Sequence, residues 1–410
     1  MTHRLLPTRH WLALAAALLL GACAGEPVAD DSGLLDAPWP EIEAAADGQT
    51  VNVAMWQGDP FINAYMREYV APRAKAELGV DIQLIALQGN QIVSALITEM
   101  EAGAAESAYD LLWINGETFF QLRQIDALWG PWLDRIPNAE YIDTDNPFIG
   151  VDFQQPVDGY EMPWGNVQLA IVYDSARVQD PPRSLDAIET WAAANPGRFT
   201  FDTEFTGMTF LKGLLADVAG GRDALNGPFD ETLYRTASAE LWGRINAMKG
   251  DFWQQGETFP QDVARMHQLF AAGEIDVTMS VNDGEVDNKV LQGLFPESSR
   301  AYVLDTGTIQ NSHYWGIPAR ARHKAGALAL ANLLASPEAQ YRKMQPAIWG
   351  DGTVLAIDRL PEAWQDSFAS VPGRRFAPPR AEISERAIQE PAPEYMIRLY
   401  DDFRSEVLEP

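Results

Sequence analysis

Between residues 51 and 114 the apolar pattern switches repeatedly between two periods, and this alternation limits the fold more than any other feature. Residues 51–56 are a short apolar run. Gly58-Asp59-Pro60 then reads as a turn, an N-cap and a first helical residue. Ile62, Tyr65, Met66, Tyr69 and Val70 follow at helical spacing, on one face. Residues 80–87 are a second β-rich run. Asn90 is expected to cap a second helix, with Val93, Leu96, Ile97 and Met100 on its buried face. Residues 111–114 form a third strand, closed by Asn115-Gly116. Strands alternating with helices make a parallel sheet flanked by helices, so the fold class is α/β.

A second region is expected to begin after a bend at Pro163-Trp164-Gly165. Residues 169–173 read as a strand, 185–194 and 210–218 as helices, 263–272 as another helix and 275–281 as the strand after it. Segments 301–304 and 314–317 read as strands bringing the chain back. Helical patterns follow at 325–334, 337–344, 360–368 and 392–407, and no internal repeat is visible. A chain of 410 residues is long enough for two domains or one large bilobed one. The single Cys excludes an intrachain disulfide, so packing alone must hold the core, which a hydrophobic content of 47% allows.

The N-terminus carries an address. Arg4 and Arg9 precede an apolar run from Trp11 to Leu20, too short to span a bilayer but suited to a secretory signal. Leu20-Gly21-Ala22-Cys23 resembles a bacterial lipobox, which implies cleavage before Cys23 and its acylation. Residues 24–36 read as a flexible tether, with order expected to begin near Val51. No later segment has about 18 uncharged apolar residues in a row, so the exported body is expected to be soluble.

The formal net charge is −28, from 58 acidic and 30 basic residues. Such a surface repels phosphates, which disfavours nucleic acid as a partner. It favours solubility and is compatible with cationic ligands.

These features together resemble an extracellular solute-binding protein of an ATP-binding-cassette importer. The resemblance rests on the signal, on the strand Val53-Ala54-Met55-Trp56-Gln57-Gly58 with its polar exit, and on Tyr109-Asp110-Leu111-Leu112-Trp113-Ile114. It also rests on Tyr160-Glu161-Met162-Pro163-Trp164-Gly165 leading into Leu169-Ala170-Ile171-Val172-Tyr173-Asp174, which matches the usual first hinge, and on Ser336-Pro337-Glu338-Ala339-Gln340. Within the family, Trp113-Ile114-Asn115-Gly116-Glu117 and Asn195-Pro196-Gly197-Arg198-Phe199-Thr200 look most like the YnjB-type branch. The resemblance implies a bilobed type II periplasmic-binding fold, two α/β lobes joined by hinge strands. Its expected layout is a signal at 1–22 and a tether at 23–47. The first lobe is expected at 48–164, with 314–345 returning to it. The second lobe is expected at 165–313, with a C-terminal helical segment at 346–410 packed on the lobes. It implies a monomer that delivers a small solute to a membrane permease and its ATPase.

Ligands in open α/β sheets sit beyond the C-terminal ends of the strands. Here those ends carry Trp56, Gln57 and Asp59 after the first strand, and Asn115 and Glu117 after the third. Trp164 and Asn166 lie by the expected hinge, Thr206 at a helix start, Asn282 and Asp283 after a second-lobe strand, and His313 and Trp315 at the return crossover. Trp349-Gly350-Asp351-Gly352 is a further aromatic–acid pair. The acidic groups tilt the ligand towards a cation, an amine or a thiamine-like molecule, while sugars and polyols stay open because carboxylates also accept hydroxyl protons. Asp283, Glu285 and Asp287 alternate as in a calcium loop, but Leu294 stands where its closing Glu belongs, so no metal is assigned. Neither Gly-x-Ser-x-Gly nor a phosphate-binding Gly-x-x-x-x-Gly-Lys occurs. No cofactor is expected and the chain is read as a non-enzyme. The alternative is an exported, lipid-anchored hydrolase acting on carbohydrate through paired carboxylates.

Overall fold

The computed structural model describes residues 33–409. The signal and Cys23 lie outside the described residues. The described chain opens with α1 (Trp39–Ala46), followed by β1 (Thr50–Met55). Order therefore begins before residue 51, and the stretch assigned to the tether ends in a packed helix. Ile42 and Ala46 are fully buried, a two-residue stripe too narrow to read as a helix in the sequence.

Three βα units follow. Asp59 caps α2 (Pro60–Ala64), which runs through a π-helical turn into α3 (Ala71–Leu78). β2 (Asp81–Ala86) leads to α4 (Gly89–Glu101), and β3 (Leu111–Ile114) to α5 (Gly116–Gln124). β1 lies between β2 and β3 and runs parallel to both. Alternation along β1 fills both sides of the sheet. Val51, Val53 and Met55 join one core, and Ala54 meets Ile92, Leu96 and Phe119 in another. α4 starts two residues earlier than an Asn90 cap would set it, capped by Gln88 in a box with Gln91. Its buried face is Ile92, Val93 and Leu96, which leaves Ile97 exposed.

After a short hairpin, β4 (Val151–Asp152) and β5 (Gln155–Pro156), comes β6 (Glu161–Gln168), then β7 (Ala170–Asp174). The expected bend at Pro163-Trp164-Gly165 is the middle of β6, buried throughout. In the second lobe, β7 pairs antiparallel with β8 (Val277–Ser280) and β9 (Ser299–Tyr302). Around it pack α6 (Leu185–Ala194), α7 (Phe205–Val218), α8 (Glu231–Met248), α9 (Val263–Ala271) and α10 (Glu285–Leu291). α8 was not predicted. Its buried side includes Tyr234, Ala237, Ser238, Leu241, Trp242 and Ile245, but Ala and Ser in that stripe and Gly243 beside it blunt the apolar signal.

β10 (Thr308–Gly316) crosses back. It pairs antiparallel with β6 along its length and with β3 at its end. The register shifts between His313, opposite Gly165, and Tyr314, opposite Pro163. Trp164 is the extra residue, a bulge that also spares the sheet the N–H that Pro163 lacks. α11 (Lys324–Ala335) and α12 (Pro337–Met344) then cover the first lobe, and α1 packs on α11. The chain ends with α13 (Glu362–Ala369), α14 (Arg380–Ile383), β11 (Ala387–Gln389), parallel to β10, and α15 (Pro393–Asp402). Trp349, Leu360 and Phe368 join the first core, whereas Ile388, Tyr395 and Phe403 join the second. Among the described residues no helix is long and apolar enough to cross a membrane.

Candidate ligand site

A cavity of about 280 Å³ opens between the lobes. The ends of β1 and β3 reach it from the first lobe, and the starts of α7 and α9 reach it from the second. Eight of the residues singled out in the sequence as ligand candidates line it: Trp56, Asn115, Glu117, Thr206, Asn282, His313, Trp349 and Asp351.

The others lie elsewhere, each for a physical reason. Gln57 turns outward, where Oε1 accepts from Arg67 Nη2 at 2.7 Å. Asp59 is buried. Its Oδ1 accepts from the amides of Phe61 and Ile62, and Oδ2 accepts from Lys289. Trp164 and Trp315 are fully buried core residues, 4.8 Å apart between ring centroids. Asn166 is used up in bonds to the turn before β4 and to β10, donating to Phe148 O at 3.0 Å and accepting from Gln310 at 2.8 Å. Asp283 is enclosed by Arg374 and Arg380 and accepts from the Gln168 amide at 2.9 Å. Burial pushes its pKa up, but the two guanidiniums more than offset this and hold it below the ordinary carboxylate value. Thr206 does not cap α7, as its position had suggested. The N-cap is Glu204, and Thr206 lies in the first turn.

One part of the wall is acidic. Glu117 stands in the first turn of α5, buried. With its nitrogen turned towards Glu117, the Asn115 amide donates to both carboxylate oxygens, at 3.0 and 3.1 Å. Burial pushes the Glu117 pKa up to about 7, with Lys212 offsetting only part of the effect. Lys212 itself is bonded to Glu390, outside the cavity lining. Asp202 is buried, and its Oδ1 accepts from the Glu204 amide at 3.0 Å. Its Oδ2 has no partner among the described residues. Burial pushes its pKa up to about 7, and Asp262 and Glu204 add repulsion. Asp262 caps α9 through Oδ1, which accepts from Arg265 N at 2.8 Å. Tyr400 of α15 also reaches this wall.

Another part is aromatic. Trp113 lies 5.1 Å from the His313 ring, and His313 lies 5.8 Å from Trp349. His313 Nε2 faces Asp351 at 3.2 Å, and Asp351 is bonded to the buried Lys343 at 2.6 Å. A Cβ at Gly165 would collide with both His313 and Asp351, so glycine is needed for this approach.

Helix N-termini usually favour anions. Here the chain supplies its own acids at those ends, with Asp202 and Asp262 on the amides. Among the described residues lining the cavity there is no lysine or arginine. None of Glu117, Asp202, Glu204 and Asp262 is in an ion pair with a described residue. Asp202, Glu204, Asp262, Trp113 and Tyr400 were missed in the sequence. The three acids carry a helix-start signal, and nothing local says that a cavity lies beyond the cap. Among the described residues no cluster of His, Cys, Asp and Glu could hold a metal ion. The alternating Asp283, Glu285 and Asp287 are taken instead by arginines, by Lys289 and by the amides of Arg375 and Phe376.

The sequence profile of bacterial extracellular solute-binding proteins matches residues 68–368. Protein YnjB of Escherichia coli (strain K12) is 35% identical over 336 residues, 81% of this chain and 86% of that one. Solved structures share the fold, two of them with a named ligand class. One is the spermidine/putrescine ABC transporter substrate-binding protein PotD from Streptococcus pneumoniae, with a TM-score of 0.57 and 16% identity over 87% of this chain and 99% of that one. The other is the periplasmic binding protein AfuA from Actinobacillus pleuropneumoniae, solved with fructose-6-phosphate, with a TM-score of 0.63 and 11% identity over 88% and 99%. The bilobed fold, the cleft between its lobes and the matched profile agree: this chain belongs to the bacterial extracellular solute-binding proteins, in the YnjB-type branch, and is the substrate-binding component of an ABC transporter.

Proposed function

We propose that the protein captures a small organic cation in the interlobe cavity and delivers it to a membrane permease, while Cys23 ties it to the membrane by lipid. The observation that carries this reading is the charge of the cavity wall. Glu117, Asp202, Glu204 and Asp262 gather there, and no lysine or arginine lines it among the described residues. Glu117 and Asp202 are buried, with Lys212 compensating only part of the cost at Glu117. A buried, poorly compensated carboxylate is costly when ionised, and a bound cation removes that cost. PotD is described as a spermidine/putrescine binder and AfuA holds a sugar phosphate. The shared fold therefore admits either charge, and the acidic wall favours the cation. The matched profile and the two solved structures above are of binding proteins, so the hydrolase alternative draws no support from them.

Native mass spectrometry of the protein as purified should show a carried cationic ligand, recovered unchanged. Calorimetry with putrescine should show saturable binding, and fructose-6-phosphate should give none. Binding of the phosphate but not the diamine would reverse the reading. Cys23→Ser should abolish palmitate labelling and release the protein from membranes. Labelling that persists in the variant would remove the anchor.

A further inference from the structure

Asp59, expected in the sequence to touch the solute, has another occupation. It belongs to the first lobe, where it caps α2 ahead of the core residues Ile62, Tyr65 and Met66. Its partner Lys289 belongs to the second lobe, on α10, whose Val286 and Val290 sit in the other core. Lys289 bonds Asp59 and, at 3.1 Å, Glu285 one turn earlier. Both ends of the bridge between lobes are buried, with side-chain exposures of 3% and 5%. Burial lowers the Lys289 pKa, but Glu285 and Asp59 more than offset this and keep the ammonium charged. Glu285 lines the cavity, whereas Lys289 does not.

The rest of α10 makes the same crossing. Asn288 donates to Pro346 O at 3.0 Å and to Ile348 O at 3.3 Å, and Gln292 donates to Ala347 O at 2.8 Å. That loop leads into Trp349 of the first core. One side of this seven-residue helix, with its C-cap Gln292, therefore faces the first lobe with an ammonium and two amides.

We infer that Lys289 is a positioning residue for solute capture: it ties α10 to Asp59 across the cleft and holds the lobes shut on a solute it does not touch. This rests on the binding role proposed above. The bridge can exist only while the lobes meet, so its free energy belongs wholly to the closed form.

Two substitutions test it with opposite changes of charge. Asp59→Asn keeps the cap, because Asn caps as well as Asp through Oδ1, and it replaces the oxygen that receives Lys289 with a donor. Lys289→Met removes the ammonium and keeps much of the stem. Without solute, small-angle scattering should give both variants a larger radius of gyration than wild type. With putrescine as the probe, both should release it faster, by about tenfold or more, at an unchanged association rate. If these charges acted only through their field on a cation, Lys289→Met would tighten binding and Asp59→Asn would weaken it. Opposite signs, or scattering curves identical to wild type, overturn the latch. If wild type does not bind putrescine, the cationic reading of the site fails, and the scattering comparison alone decides the latch.

Discussion

Glu117 and Asp202 on one side, and Asp283 and Asp351 on the other, are four buried carboxyls in a single protein with opposite fates. For Asp283 and Asp351, burial pushes the pKa up, but Arg374 and Arg380, or Lys343 and His313, more than offset it, and both acids stay below the ordinary value. At Glu117 Lys212 offsets only part of the burial, Asp202 has no cationic partner, and both rise to about 7. Where the fold uses a charge for its own cohesion, it brings the counter-charge along. On the reading proposed here, the acids of the cavity wall left without enough of one are those that wait for a solute, whereas Asp152 and Glu161, buried and also raised, lie away from the cavity.

The hardest test breaks the satisfied side. Lys343→Met leaves Asp351 buried with only His313, and removing one partner of a buried pair costs about 3–5 kcal/mol. Urea denaturation at neutral pH should show that loss. If stability is unchanged, the pair is not structural and the contrast fails.

The next test uses pH, where the two sets move in opposite directions. A carboxyl with a raised folded-state pKa gives its full stability below its unfolded value, 4.5 for Glu117, and loses it as pH rises through about 7. The ligand-free protein should therefore lose stability between mildly acidic and mildly alkaline pH, by up to on the order of 3 kcal/mol per such group. Glu117→Gln and Asp202→Asn should each flatten that fall. Asp283 and Asp351 have lowered values, so their contribution is lost only in acid, as pH drops below the ordinary carboxylate value. Diamine binding should strengthen as pH rises through about 7, because the cation favours the ionised acids. Melting curves and calorimetry across that range check both signs.

At fixed pH 8, Glu117→Gln should weaken putrescine binding by about 1.5–3 kcal/mol, the scale of a hydrogen bond to a charged group, while the fold holds or gains stability. If this variant unfolded as Lys343→Met should, Glu117 would belong with the structural acids.

This contrast also marks what the sequence could and could not show. β1, β2 and β3 and the Asp59-Pro60 helix start were legible because their signals are local: a period, a cap, a fixed φ. Trp56, Asn115 and Glu117 could be placed at the cavity because a strand end points into a cleft whatever follows later in the chain. Asp59 and Asp283 looked equally suitable, yet their partners lie 230 and 97 residues away, beyond any local pattern. Trp164 was misplaced by a bulge that exists only once β10 pairs with β6. Trp113, inside the third strand and before its polar exit, reaches the cavity wall beside His313.

The smallest effect probes the edge of the acidic wall. Asn282 is buried and lines the cavity. Its Oδ1 accepts from the Gly284 amide at 2.9 Å, and its Nδ2 has no partner among the described residues. Asn282→Asp keeps the acceptor that holds the turn, removes the donor and adds a negative charge. A solute that presents only donors and positive charge has no use for Nδ2, so putrescine should bind equally well or tighter, by about 0.2–1 kcal/mol. A solute that also carries a hydroxyl or carbonyl would accept from Nδ2, and for it the same substitution should weaken binding by about 0.5–1.5 kcal/mol. Calorimetry on this one variant, with putrescine and with whatever ligand the purified protein carries, would then separate a site for bare cations from one for cations with a polar, hydrogen-bond-accepting tail.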